Sequence, residues 1–107
     1  MELTSILKDM IEKKASDVMF KAGSSVCMRV YGELFKYGDV LDEHDLEALA
    51  GEVTAKAQKR IYKDQWENVA CFGIKDMGRF RATMFQQRGT PVIAIRAINT
   101  RILNFEE

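Results

Sequence analysis

The segment from Gly78 to Ile98, GRFRATMFQQRGTPVIAIRAI, decides the fold. It sets four arginines, Arg79, Arg81, Arg88 and Arg96, among Phe, Met, Val and Ile in what otherwise reads as two buried strands. The one turn signal inside it is Arg88-Gly89, and Pro91 restarts the apolar pattern, so the segment folds back as an antiparallel hairpin. With Gln86 opposite Pro91, Arg81 falls opposite Arg96. Side chains alternate between faces, so Phe80, Ala82 and Met84 line one face with Ile93, Ile95 and Ala97, and that face is core. The other face carries Arg79, Arg81, Thr83 and Phe85 beside Val92, Ala94, Arg96 and Ile98. Two guanidinium groups directly opposite each other repel. The pair makes physical sense if an anion bridges it, because planar guanidinium forks match carboxylate and phosphate oxygens. Both arginines sit mid-strand with apolar neighbours and are expected to be partly shielded from water; an internal carboxylate or a structural ion pair is the other way to neutralise them. Arg79 at the strand start and Arg88 in the turn read equally well as surface charges.

Upstream of the hairpin, Leu3, Ile6, Leu7, Met10 and Ile11 recur at helical spacing, which predicts a helix from about Leu3 to Lys14. DVMFKA alternates Val18, Phe20 and Ala22 against Asp17, Met19 and Lys21, and predicts a half-buried strand. AGSS turns the chain, and VCMRVYG and GELFKYG continue a meander. Asp42 caps a helix carrying Leu46, Leu49 and Val53, and Thr54 is expected to cap a second helix through Ala57 and Ile61 toward Trp66. NVACFGI, about Asn68 to Ile74, is a further buried strand that KDMG joins to the hairpin. The expected architecture is α+β, a mainly antiparallel sheet of about six strands with helices over one face.

The chain has 107 residues, enough for one domain with one modest core. Basic and acidic residues number 16 each, so the overall charge points to neither nucleic acid nor an anionic membrane as partner. No apolar run approaches the roughly 20 residues of a membrane span, and the start MELTSILKDM has no signal-peptide pattern; a cytoplasmic location is expected. Cys27 and Cys71 lack CxxC spacing and read as small packed thiols. The single histidine, His44 in DEHD, reads as a solvated helix-end residue, and no metal site is expected. Ser16, Ser24 and Ser25 read as turn formers, and Asp17 as a residue satisfying turn amides. The six methionines read as core filler. No glycine is followed by lysine, so GxxxxGK[ST], the loop that cradles nucleotide phosphates, is missing, and the chain alone is expected to be catalytically inert.

In order and separation, LKDMIEKKASDV, MRVYGEL, GRFRATMFQQRG and AIRAI resemble the N-terminal domain of type IV pilus retraction ATPases, the PilT/PilU group of the type II/IV secretion ATPase superfamily. The resemblance covers Leu3 to about Phe105. It departs at Met19, Val69-Ala70 and Asn99, where His, Asp-Phe and Pro are usual, and ASDVMF with GRFR lies nearer the PilU side. It implies a PAS-like N-terminal domain over residues 1–100 and an interdomain linker from 101–107, ahead of a RecA-like ATPase domain. It further implies ATP and Mg²⁺ as cofactors of the complete protein and a homohexameric ring. The role implied is retraction of the pilus in twitching motility, working against an inner-membrane platform from the cytoplasmic side, with no nucleic-acid partner. Arg81 and Arg96 are the positions that match the family's phosphate-contacting arginines; Arg79 and Arg88 are subsidiary candidates for nucleotide binding. A secretion or pilus-assembly ATPase of the same superfamily is the nearest variant. From a different class, a stand-alone PAS-like sensor domain could hold a small anionic ligand over the same face.

Overall fold

Described here as a computed structural model, the chain is defined over residues 3–57, 61–63 and 67–99. The first element, α1 (Leu3–Glu12), buries Leu3, Ile6, Leu7, Met10 and Ile11, the i, i+3, i+4, i+7 set that covers one helix face. It ends two residues before the expected Lys14, which takes a left-handed φ of 60° in the turn. Three strands follow, β1 (Ala15–Lys21), β2 (Val26–Val30) and β3 (Glu33–Tyr37), and then α2 (Glu43–Ala57). The chain closes with β4 (Ile61–Lys63), β5 (Glu67–Ile74), β6 (Gly78–Gln87) and β7 (Thr90–Asn99).

The strands form one antiparallel sheet in the order β3-β2-β1-β7-β6-β5-β4. Two meanders, β1 to β3 and β4 to β7, are joined through the β1–β7 pair, which makes the last strand central. α2 joins the two edges, leaving β3 and entering β4, and so carries the chain from one side of the sheet to the other. The helices cover one face, where Phe20, Met28, Phe80 and Ile95 meet Leu7 and Met10 of α1 and Leu46, Leu49 and Val53 of α2 in a single cluster. Phe72 and Phe80 stack within it at 5.7 Å between centroids.

The sheet has one strand more than expected, and it replaces the second helix. Thr54 is not a cap: its hydroxyl donates to the Ala50 carbonyl at 2.9 Å, one turn back, so α2 runs through it to Ala57. Ile61–Lys63 then pairs with Asn68 to Ala70, as its β-branched and aromatic residues favour. Trp66 and residues 101–107, the expected linker, lie outside the described residues. Met19 is also not core; it points away from the helices and is 43% exposed.

The hairpin register is the one read from the sequence, Gln86 opposite Pro91 and Arg81 opposite Arg96. Arg88 and Gly89, at φ 54° and 79°, make the two-residue turn with both residues left-handed that suits the twist of the flanking strands. Gln87 and Thr90 are then the first hydrogen-bonded pair, and Gln86 and Pro91 a non-hydrogen-bonded one. The nitrogen of Pro91 therefore points away from β6, past the last β1–β7 pair, Lys21 with Val92, and no ladder bond is lost.

Candidate functional site

On the sheet face away from the helices, a row of paired residues crosses five strands: Arg29 on β2, Asp17 on β1, Arg96 on β7, Arg81 on β6 and Cys71 on β5. Continuing the alternation from the turn makes Arg81 and Arg96 a hydrogen-bonded pair, with Cα atoms ~5.5 Å apart, and Arg96 and Asp17 a non-hydrogen-bonded pair, ~4.5 Å apart. The closer spacing lets the side chains of Arg96 and Asp17 meet. The Arg96 Nε donates to Asp17 Oδ1 at 3.1 Å. A bulge in β1 completes the arrangement, since Ala15 pairs with Val30 and Asp17 with Arg29, leaving Ser16 as the extra residue. Such a bulge re-aims side chains. Here Ser16 and Asp17 both leave the core face, and the Ser16 hydroxyl donates to Asp17 Oδ2 at 2.7 Å. The Nε of Arg29 lies 3.8 Å from the same Oδ2. Ser16 and Asp17 are thus strand residues joined to each other and to arginines, and not the turn residues expected.

The site therefore holds three guanidinium groups and one carboxylate. Among the described residues, Asp17 takes only the Nε of Arg96, leaving its two terminal nitrogens without a partner, and Arg81 has no carboxylate within 4 Å. Asp17, Arg81, Thr83, Ala94, Ile95 and Arg96 line a concavity of about 200 Å³. Phosphate-sized anions fit its charge and donor set, because paired forks with free N–H groups are what phosphate oxygens accept from. The expected shielding is not found: Arg81 is exposed, and the Arg96 side chain is 71% exposed. Solvent of that degree holds the Asp17–Arg96 pair to ~1 kcal/mol or less.

Of the other two candidates, Arg79 stands on the same face of β6, two residues before Arg81, and is exposed. It borders a larger hollow of about 750 Å³ at the β5–β6 turn. That hollow is lined by Lys75, Asp76 and Arg79 from one turn, whereas the smaller concavity has two arginines paired directly across strands, which makes it the stronger site. Arg88 sits in the turn at the far end of the hairpin. Seven residues along the strand from Arg81, it is ~23 Å away and cannot join that site. Cys27 and Cys71 are free and only half-buried, on the arginine face and not in the core as expected. His44 is exposed at the start of α2. Among the described residues no group of three metal-ligating side chains is present, and no helix is long and apolar enough to cross a membrane.

A third hollow, about 510 Å³, lies between α1 and the β2–β3 edge and is lined by Asp9, Lys13, Met28, Val30, Phe35 and Tyr37. Burial, with a smaller contribution from the Asp9 carboxylate, raises the Tyr37 phenol above its usual value. Its walls are mostly apolar, and the charged groups at it are Asp9 and Lys13 of α1, with the Lys13 Nζ 5.8 Å from the centre of the Tyr37 ring.

Asp17 and Arg29 are the site residues that reading the sequence did not bring in. Alternation in ASDVMF and MRV already sets both on the outer face. What the sequence lacks is the knowledge that β1 lies between β2 and β7, which puts Asp17 between the two arginines.

No family model matches the chain. Over its whole length it is 30% identical, across 109 aligned residues, to the type IV pilus ATPase PilU of Pseudomonas aeruginosa. To the pilus retraction ATPase PilT of the same organism it is 25% identical across 108. It spans 28% and 31% of the length of these relatives, less than a third of either. Among solved structures, the pilus retraction motor PilT with bound ADP matches with a TM-score of 0.72 at 24% identity, over 92% of this chain and 29% of that one. The ATPase DotB of Legionella pneumophila matches with a TM-score of 0.55 at 20% identity, over 91% and 28%. The chain is thus similar along its whole length to PilU and PilT, and it carries the fold of the N-terminal domain of the PilT/PilU group of ATPases.

Proposed function

We propose that this domain is the N-terminal part of a motor ATPase that powers type IV pilus retraction, and that Arg81 and Arg96 reach the phosphates of nucleotide held by a RecA-like catalytic domain. The observation that carries the reading is the guanidinium pair on an exposed sheet face, with free terminal nitrogens around a concavity of phosphate size. Similarity to PilU and PilT supplies the partner: a nucleotide-binding domain that these ATPases need and whose phosphate loop this chain does not contain. In this reading ATP and Mg²⁺ are held by the catalytic domain, and the N-terminal domain contributes positive charge.

The chemistry asked of the chain is electrostatic. During phosphoryl transfer negative charge spreads over the equatorial oxygens, and a planar fork stabilises it with two directed N–H donors. Two arginines from adjacent strands can address two oxygens or two neighbouring phosphates, and the sheet fixes their spacing. Arg79, on the same face, extends the positive field toward the β5–β6 turn. Placement in a homohexamer brings these arginines to the domain interface, and engagement with the pilus platform holds the ring at the cytoplasmic side of the inner membrane. The balance of 16 basic and 16 acidic residues agrees with a protein partner and not with nucleic acid.

The coding sequence beyond Glu107 tests the reading. A continuation into GxxxxGK[ST] supports the motor, and a stop codon directly after Glu107 contradicts it, favouring a small anion-binding module built on the same concavity. The 107-residue chain, purified, is expected to hydrolyse no ATP above the buffer rate.

A further inference from the structure

We propose that Asp17 is the positioning residue of the anion site: by holding the Nε edge of Arg96 it presents that arginine's terminal fork to the concavity, and it does so with a carboxylate shared with Arg29. The inference rests on the reading of Arg81 and Arg96 as an anion site, and it adds a residue and a role to that reading.

The contacts divide the work between the two oxygens. Oδ1 accepts from Arg96 Nε at 3.1 Å, while Oδ2 accepts from the Ser16 hydroxyl at 2.7 Å and faces Arg29 Nε at 3.8 Å. Ser16 is the extra residue of the β1 bulge, so the backbone irregularity itself supplies the donor that fixes the carboxylate. An arginine offers two planar edges, one through Nε and one through its terminal nitrogens. Occupying the first orients the second without using it. A freely rotating Arg96 would instead lose side-chain entropy on each encounter with an anion. A carboxylate this near a cation site also opposes anion binding by its charge. Here Arg29 offsets it on Oδ2, so the row keeps three cations to one anion.

The two roles of Asp17, positioning and counter-charge, separate by substitution. Asp17→Asn removes the charge but keeps an oxygen for Arg96 Nε, and its amide N–H can donate to the Ser16 hydroxyl, which then accepts. Asp17→Ala removes both. If Asp17 positions Arg96, the Ala variant binds anions more weakly despite one fewer negative charge, and the Asn variant binds as well as the native chain or more tightly. If Asp17 is only a competing charge, both variants bind more tightly.

The experiment is titration of the 107-residue chain and its variants with pyrophosphate, followed by arginine Nε–H signals in ¹⁵N NMR, with thermal melts to confirm folding. The expected result is binding weakened about tenfold in Asp17→Ala, the effect of one lost directed contact, and preserved in Asp17→Asn. The Arg96 Nε–H signal should stay protected in Asp17→Asn and be lost in Asp17→Ala; Asp17→Ser replaces the Ala variant if that one unfolds. Tighter binding by both Asn and Ala variants overturns the positioning role while leaving the anion site intact. A native chain that binds no pyrophosphate, or binds it equally well after Arg96→Ala, overturns the anion site and this inference with it.

Discussion

Arg81 and Arg96 oppose each other because of a turn seven residues away from Arg81 and a proline whose missing N–H faces outward. That much is local, and the residues between Gln86 and Pro91 announce it. The contact that changes the meaning of the pair is not local: Asp17 reaches Arg96 across 79 residues of sequence. A carboxylate was foreseeable as an alternative to a bound anion, and the structure contains both features, one oxygen on Arg96 and an open fork beside it. Stability should follow the asymmetry. Arg81→Ala removes an unpaired like charge and is expected to leave the melting temperature unchanged or slightly higher. Arg96→Ala removes the exposed pair with Asp17 and is expected to cost no more than ~1 kcal/mol, given how weakly solvated pairs contribute. Thermal unfolding of the two variants beside the native chain checks both; a cooperative loss of folding in either would show that the arginines hold the sheet together.

Among the elements, α2 is the helix whose cap is legible in the sequence. Asp42 accepts the Asp45 N–H at 2.8 Å through Oδ1, and Asp45 returns the contact to the Asp42 N–H at 3.0 Å, a reciprocal box that satisfies two orphan donors. The Asp45 backbone donor is the largest of the influences that lower the Asp42 carboxyl below its usual value. A carboxyl depressed in the folded state binds protons more readily when unfolded, so its stabilisation is present above the ordinary carboxylate range and lost as pH falls below that range, through the lowered value of the folded state. Melting temperature should therefore decline on acidification, and the part of that decline belonging to this cap should disappear in Asp42→Ala. Where the helix ends was not legible. Thr54 resembles a cap in sequence, but its hydroxyl bonds backward to Ala50, and the short Ile61–Lys63 strand is too brief for periodicity to distinguish from helix.

At the scale of the molecule, alternation identifies the faces of the strands but not their neighbours. Alternation puts Phe80, Met84, Ile93 and Ile95 on the inward face they occupy, whereas the order β3-β2-β1-β7-β6-β5-β4 depends on which meander edges meet, and the sequence marks no partner for β1. The β1–β7 junction joins the two halves of the core and brings Asp17 to the arginines, so fold and site depend on the same pairing. Phe80, wholly buried at that core, tests the first dependence: Phe80→Ala is expected to cost ~3–5 kcal/mol. That is a large part of the ~5–15 kcal/mol that holds a domain folded, and chemical denaturation should show a much lower midpoint.

The central claim, that the arginine face serves nucleotide phosphates, is tested most directly by steady-state ATP hydrolysis in the complete protein carrying Arg81→Ala or Arg96→Ala. Charge stabilisation made chiefly in the transition state predicts kcat lowered by ~10³-fold or more with KM little changed. Lys at either position should not restore the rate, because an ammonium cannot reproduce the planar fork. Turnover equal to that of the native protein in both Ala variants would contradict the account.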